Sequence, residues 1–243
     1  MRVRILNSEA AVARAVATRM TRLLAAQPAA VLGLPTGNTP IKLYAELRRC
    51  HLEGKADFSN ASTFNLDEFW GLPWSHPASY RAFMEEHLFQ HVNLASRRIH
   101  FLNGMAKSAA TECARYEAAI GKAGGLDLLI LGIGLNGHIG FNEPAPSLTG
   151  DSHLARLAPA TRRSNAYLFA GRVAAVPPEA LSMGVGTILR SRSIILMATG
   201  GSKAEVVRAM VRGKITTKMP ASLLQLHPDV ELVLDHAAAA KLR

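Results

Sequence analysis

Cysteine is scarce. Only Cys50 and Cys113 occur in 243 residues, which excludes a disulfide-stapled scaffold and a cysteine zinc cluster alike. No apolar run approaches the roughly 18 residues that a membrane span requires. The opening Met1-Arg2-Val3-Arg4-Ile5-Leu6 lacks the longer apolar segment and cleavage site of a signal peptide, so a cytoplasmic protein with no membrane partner is expected. Acidic residues are outnumbered, 18 against 28 basic, and the net charge of +10 favours anionic partners. Yet the basic residues are scattered, from Arg48-Arg49 and Arg97-Arg98 to Arg208, Arg212, Lys214 and Lys218. There is no block of about five or six like charges and no interleaving of aromatic with basic residues, so nucleic acid is not expected as a partner. A small anionic substrate fits the same balance. Repeats, low-complexity stretches and dividing linkers are missing as well. With 49% apolar and 19% charged residues, the chain can bury a sizeable core, and one domain over residues 1–243 is the expectation.

Short apolar runs alternate with longer amphipathic ones. Strands are predicted at Val3–Leu6, Ala29–Leu34, Ser62–Leu66, Asp127–Leu131, Ser193–Met197 and Val230–Leu234. Helices are predicted at Glu9–Ala26 (capped by Ser8), Ile41–His51 (with Pro40 in its first turn), Ser79–His91, Thr111–Lys122 and Lys203–Arg212. This alternation implies a three-layer, Rossmann-like α/β fold, a mostly parallel sheet with helices on both faces. Ligands then bind beyond the carboxyl ends of the strands. The Pro-, Ser- and Gly-rich region starting at Pro144 reads as a functional loop, and residues 144–172 are expected to form a lid.

Three loops follow predicted strands. In Leu34-Pro35-Thr36-Gly37-Asn38-Thr39-Pro40, small residues and hydroxyls before a helix suit a phosphate cradle, or an ordinary strand-to-helix turn. Phe64-Asn65-Leu66-Asp67-Glu68-Phe69-Trp70 places two carboxylates among aromatic residues, where an apolar setting raises a carboxylate toward the range useful for a general base; the local sequence taken alone favours a turn cap or a pairing with arginine. The third loop, Gly132 to Pro144, contains Gly132-x-Gly134-x-x-Gly137. Dinucleotide binding would need a following helix and an acidic residue about 20 positions on. Instead His138 follows at once, with Glu143 close behind, and a carboxylate on one ring nitrogen leaves the other free for proton transfer. No histidine pair has zinc-site spacing.

In this order and at these separations, LGLPTGNTP, FNLDEFWGLP with HPASY, FLNG, GIGLNGHIGFNEP, ALSMGVGTIL, GGSKA and LLQLHPDVELVLD resemble the glucosamine-6-phosphate deaminase (isomerase) family across essentially the whole chain. The resemblance implies conversion of glucosamine 6-phosphate and water to fructose 6-phosphate and ammonia. It assigns the C2-to-C1 proton transfer to Asp67, ring opening to His138 and orientation of that histidine to Glu143 and Asn136. Phosphate is assigned to Thr36, Gly37, Asn38, Thr39 and Lys203. No metal or redox cofactor is implied, because the substrate carbonyl acidifies the adjacent C–H. Three departures stand out. Asn136 occupies a position that is Asp in some members. Tyr167 stands where members typically carry a phosphate-gripping Arg, so either Arg162, Arg163 or Arg172 is expected to reach in, or another amino-sugar phosphate such as galactosamine 6-phosphate is the substrate. His153 and Ala155 replace basic residues of allosteric members, and the chain ends soon after Asp235, so an unregulated monomer or weak oligomer is expected. Two rivals fit many of the same residues: a 6-phosphogluconolactonase-like hydrolase, which would not need Asp67, and a sugar-phosphate sensing domain.

Overall fold

Period-two alternation within short apolar strands sets the architecture. The computed structural model describes residues 1–242. In its central strand, Leu128 and Ile130 enter one buried cluster, whereas Leu129 and Leu131 enter a second on the opposite face. Ile195 and Met197 against Ile194 and Leu196 repeat the pattern. A sheet apolar on both faces must be covered on both faces.

Seven parallel strands form that sheet: β1 (Arg2–Leu6), β2 (Val31–Leu34), β3 (Ser62–Asn65), β5 (Ile99–His100), β6 (Leu128–Leu131), β9 (Ile194–Ala198) and β10 (Val230–Asp235), in the order β1-β10-β9-β6-β2-β3-β5. Helices α1 (Glu9–Ala26), α2 (Ile41–Leu52) and α3 (Tyr80–His87) contribute Val16, Tyr44 and Phe83 to one cluster. Helices α4 (Ala109–Lys122) and α7 (Ala204–Arg212) contribute Tyr116 and Met210 to the other. The expected three-layer α/β fold is the one observed. Each buried Val, Leu, Ile or Met side chain in these layers is worth about 1.5–3 kcal/mol. No helix among the described residues is long and apolar enough to cross a membrane.

The strand expectations agree to within two or three residues at each end, and α1 begins as expected, with the Ser8 hydroxyl accepting the Ala11 N–H. Helix α3 is shorter than the sequence suggests: Leu88 leaves helical geometry (φ −141°, ψ −57°), and Phe89–His91 continue only as a 3₁₀ turn. Unforeseen from the sequence is a second, antiparallel sheet of β4 (Asp67–Phe69), β8 (Glu179–Ser182) and β7 (His153–Arg156), in the order β4-β8-β7. So are the short helices α5 (Pro159–Asn165) and α6 (Val185–Leu189). Three- and four-residue strands carry too little periodicity to be read from sequence, and non-local pairing is what stabilises them.

Chain direction positions the site. From β2 the chain progresses outward through β3 to β5, while β6 lies on the other side of β2 and leads toward β9 and β10. This reversal leaves a crevice beyond the carboxyl ends of β2 and β6.

Candidate active site

A cavity of about 490 Å³ occupies that crevice. Its walls come from the loop after β2 (Thr36, Gly37, Asn38, Thr39), from Asp67 at the start of β4, from the loop after β6 (Gly134, Asn136, His138, Gly140), and from Thr199, Ser202 and Lys203 after β9. Residues 160–167 close one side with Ala160, Thr161, Ser164, Asn165 and Tyr167. Segments far apart in sequence thus bring together every expected site residue except Glu143, which stands behind His138 rather than in the wall.

The two adjacent carboxylates have separate fates, because neighbouring residues of a strand point to opposite faces. Glu68 is fully buried: its Oε1 accepts the Phe69 and Tyr80 amides at 2.9 and 3.0 Å, and its Oε2 accepts the Arg81 amide at 3.0 Å. It therefore ties β4 to the start of α3. Asp67 has no such donors and faces the cavity, 7% exposed. Burial, and then the charge of Glu68, push the Asp67 carboxyl up to about 8. Burial likewise raises Glu68, to about 7, against the pull of its three amides.

The glycines of the third loop have a steric purpose. A Cβ on Gly134 would collide with the His138 ring, so the imidazole packs directly over this backbone. Gly140, at φ +55°, leaves open the space beside Asp67, whose Oδ2 would lie 3.8 Å from a Cβ placed there. No helix follows the Gly132–Gly137 segment; the next regular element is β7, which separates this loop from the dinucleotide-binding pattern. The His138 Nδ1 lies 3.5 Å from Glu143 Oε2 and 3.5 Å from Thr161 Oγ1, so both neighbours sit on the same ring nitrogen. Burial works against the Glu143 charge, but His138, Thr161 and Asn136 outweigh it and bring the carboxyl down to about 2. Asn136 acts one step further out than expected. Its Nδ2 donates to Glu143 Oε2 at 2.7 Å and its Oδ1 accepts the His138 amide at 3.2 Å, so it orients the carboxylate and the backbone rather than the ring.

The Thr36–Thr39 end of the cavity is equally built. Gly37 takes φ +100°, and the Tyr44 hydroxyl donates to the Pro35 carbonyl, holding the loop at the start of α2. Lys203 reaches back across β6, where its Nζ donates to the Ile133 carbonyl at 2.7 Å and retains further N–H donors; burial lowers its pKa. None of the three arginines expected to replace a cation at position 167 lines the cavity. Arg162 is turned away because its guanidinium donates to the Val173, Ala174 and Val176 carbonyls, the last at 2.8 Å. Lys203 is therefore the one Lys or Arg among the described lining residues, and Tyr167, 45% exposed, stands at the rim. Thr161, Asn165 and Tyr80 are wall residues that sequence reasoning missed. Only Tyr80 carried a signal, as the last residue of HPASY. No group of three or more His, Cys, Asp or Glu able to hold a metal ion occurs among the described residues.

The family model described as glucosamine-6-phosphate isomerases/6-phosphogluconolactonase matches residues 7–233. A glucosamine-6-phosphate deaminase of Alkaliphilus oremlandii is 50% identical over 215 residues, 88% of this chain and 89% of that protein. The solved structure of a monomeric glucosamine-6-phosphate deaminase superposes with a TM-score of 0.96 at 40% identity, covering 99% of this chain and all of the other. A 6-phosphogluconolactonase of Trypanosoma cruzi shares the fold at 18% identity (TM-score 0.79, 99% and 96% covered).

Proposed function

This chain belongs to the glucosamine-6-phosphate isomerase/6-phosphogluconolactonase family, and on that premise we propose that the cavity is the site at which it converts glucosamine 6-phosphate and water to fructose 6-phosphate and ammonia. The observation that carries the assignment of roles is the shared wall: Asp67, His138, Lys203 and the Thr36–Thr39 loop line one cavity.

The phosphate sits against the small residues and hydroxyls of Thr36–Thr39, with Lys203 as the cation. Binding energy collected there orients carbons that lie several bonds away. His138 moves a proton between the ring oxygen and the anomeric hydroxyl as the sugar opens to its aldehyde. Glu143 holds the imidazole, and Asn136 holds Glu143. The aldehyde at C1 acidifies the C2 hydrogen. Asp67 takes that proton, and the C–H electron pair forms the C1–C2 double bond as the C1 carbonyl pair moves onto O1, which takes a proton to give an enolamine; the same carboxyl then returns the proton to C1 as the nitrogen lone pair forms the C2–N double bond. The resulting imine at C2 adds water and expels ammonia. One base reaching two neighbouring carbons needs a carboxyl that accepts and releases a proton with similar ease near neutral pH, which is the effect of burying Asp67. A lactonase has no use for such a base. Residues 144–172 act as a lid whose part at 160–167 closes one side of the cavity, and the enzyme works as a monomer, like the 40%-identical monomeric deaminase whose fold it shares.

Ammonia release from glucosamine 6-phosphate, measured beside galactosamine 6-phosphate and 6-phosphogluconolactone, tests the proposal. Turnover of the first, abolished by Asp67→Asn, is expected; lactone hydrolysis surviving Asp67→Asn would overturn it.

A further inference from the structure

Glu143 is only half of what surrounds the inner nitrogen of His138. Thr161, 2% exposed and on the first turns of α5, places Oγ1 at 3.5 Å from Nδ1, the same distance as the Glu143 oxygen. The two neighbours differ chemically. A carboxylate only accepts hydrogen bonds, so it supports the ring when Nδ1 carries a proton. A hydroxyl also donates, so it can satisfy Nδ1 when that nitrogen is bare. An imidazole that both gives and takes a proton at Nε2 passes through both conditions.

Thr161 is itself fixed from behind. Its carbonyl accepts the Asn165 Nδ2 at 2.9 Å, and Asn165 Oδ1 accepts the Tyr80 hydroxyl at 2.9 Å. Tyr80 is 4% exposed and lines the same cavity as Thr36 and Asp67. Around the corner, the Ala158 amide that leads into α5 donates to Glu143 Oε1 at 3.3 Å. The segment over the cavity therefore rests on the His138–Glu143 pair at one end and on Tyr80 at the other.

We propose that Thr161 is a further positioning residue of the reaction: its hydroxyl, on a backbone held by the Asn165–Tyr80 strut, supports His138 Nδ1 when Glu143 cannot, and makes the seating of α5 part of assembling the acid–base pair. This rests on the deaminase reading of the cavity. The charged groups facing His138 are Glu143 from its own loop, to which the Thr161 side chain also hydrogen-bonds, Asp67 from β4 and Lys203 from the turn after β9.

The experiment compares Thr161→Val, which keeps the shape, with Thr161→Ser, which keeps the hydroxyl, and with Tyr80→Phe. Thr161→Val is expected to lower kcat by about 10-fold or more while KM moves less than about threefold, with a displaced pH profile of kcat. Thr161→Ser should retain at least about a third of wild-type kcat. Combined with Tyr80→Phe, the loss should be smaller than the product of the single losses, as for residues of one network. Independently of turnover, the ring ¹⁵N signals of His138 (assigned with His138→Gln) should move in Thr161→Val and not in Thr161→Ser. A kcat within about twofold of wild type in Thr161→Val, equal losses in Val and Ser, or unmoved ring signals would each overturn the proposal. If the wild type releases no ammonia, the deaminase reading fails instead, and the ring signals still decide whether Thr161 supports His138.

Discussion

Replacing Asp67 by Asn should make this enzyme inactive and, at alkaline pH, more stable. Burial and the neighbouring Glu68 raise the Asp67 carboxyl from 3.8 to about 8. A raised folded-state pKa means that the stability tied to the protonated carboxyl is fully present below the unfolded value and is lost as pH rises through the folded one. Between the two, the unfolded chain releases this proton while the folded protein keeps it, so the wild type loses up to about 1.4 kcal/mol for each pH unit. Asparagine carries no proton to release. The stability gap in favour of the variant should therefore widen by up to about 4 kcal/mol between pH 5 and pH 8 and level off above. For a chain of this size about 1 kcal/mol moves Tm by about 2–4 °C, so the widening should reach about 8–16 °C where the full effect is expressed. Glu68 is raised by burial in the same sense and is present in both proteins, so it enters the comparison only through its coupling to Asp67, which the raised Asp67 value already includes. Thermal unfolding of both proteins by calorimetry, in buffers free of phosphate so that the anion site stays unligated, reads the gap directly. A gap that is constant from pH 5 to pH 8 would refute the reasoning. It would show Asp67 ionised as readily in the folded protein as in the unfolded chain.

The other predictions concern the neighbours of that carboxyl. Gly134→Ala must displace the His138 ring, and kcat should fall by about 100-fold with the fold retained, checked by circular dichroism beside the ammonia assay. Glu143→Gln should lower kcat by about 100-fold, and because the folded Glu143 carboxyl lies near 2, the stability that it contributes above its unfolded value of 4.5 should disappear as pH falls through 2. Lys203→Met removes the one Lys or Arg among the described cavity residues, so KM for the sugar phosphate should rise by about 10- to 100-fold with a smaller change in kcat. Light scattering should give the mass of a monomer, with hyperbolic rate curves unaffected by N-acetylglucosamine 6-phosphate.

Sequence alone determined the layers and the three loops. Strands such as Leu128–Leu131 alternate two buried faces, and a chain with that pattern separated by amphipathic helices has one economical solution, a parallel sheet covered on both sides. The loops after β2, β3 and β6 were legible because small residues, carboxylates and an imidazole interrupt that apolar pattern at strand ends. Tertiary structure decided the rest. Which of Asp67 and Glu68 faces the cavity depends on the pairing of Asp67 with Ser182, more than a hundred residues away, and on amides of α3 that take Glu68. Arg162 could be named as a candidate cation, but the carbonyls of residues 173–176 hold its guanidinium and keep it from the cavity. Thr161 gave no signal at all, since a threonine in a seven-residue helix acquires meaning only when folding brings it to His138. Local patterning records which surfaces must be buried, whereas the partner that a polar side chain meets is set by contacts between segments that no short window contains.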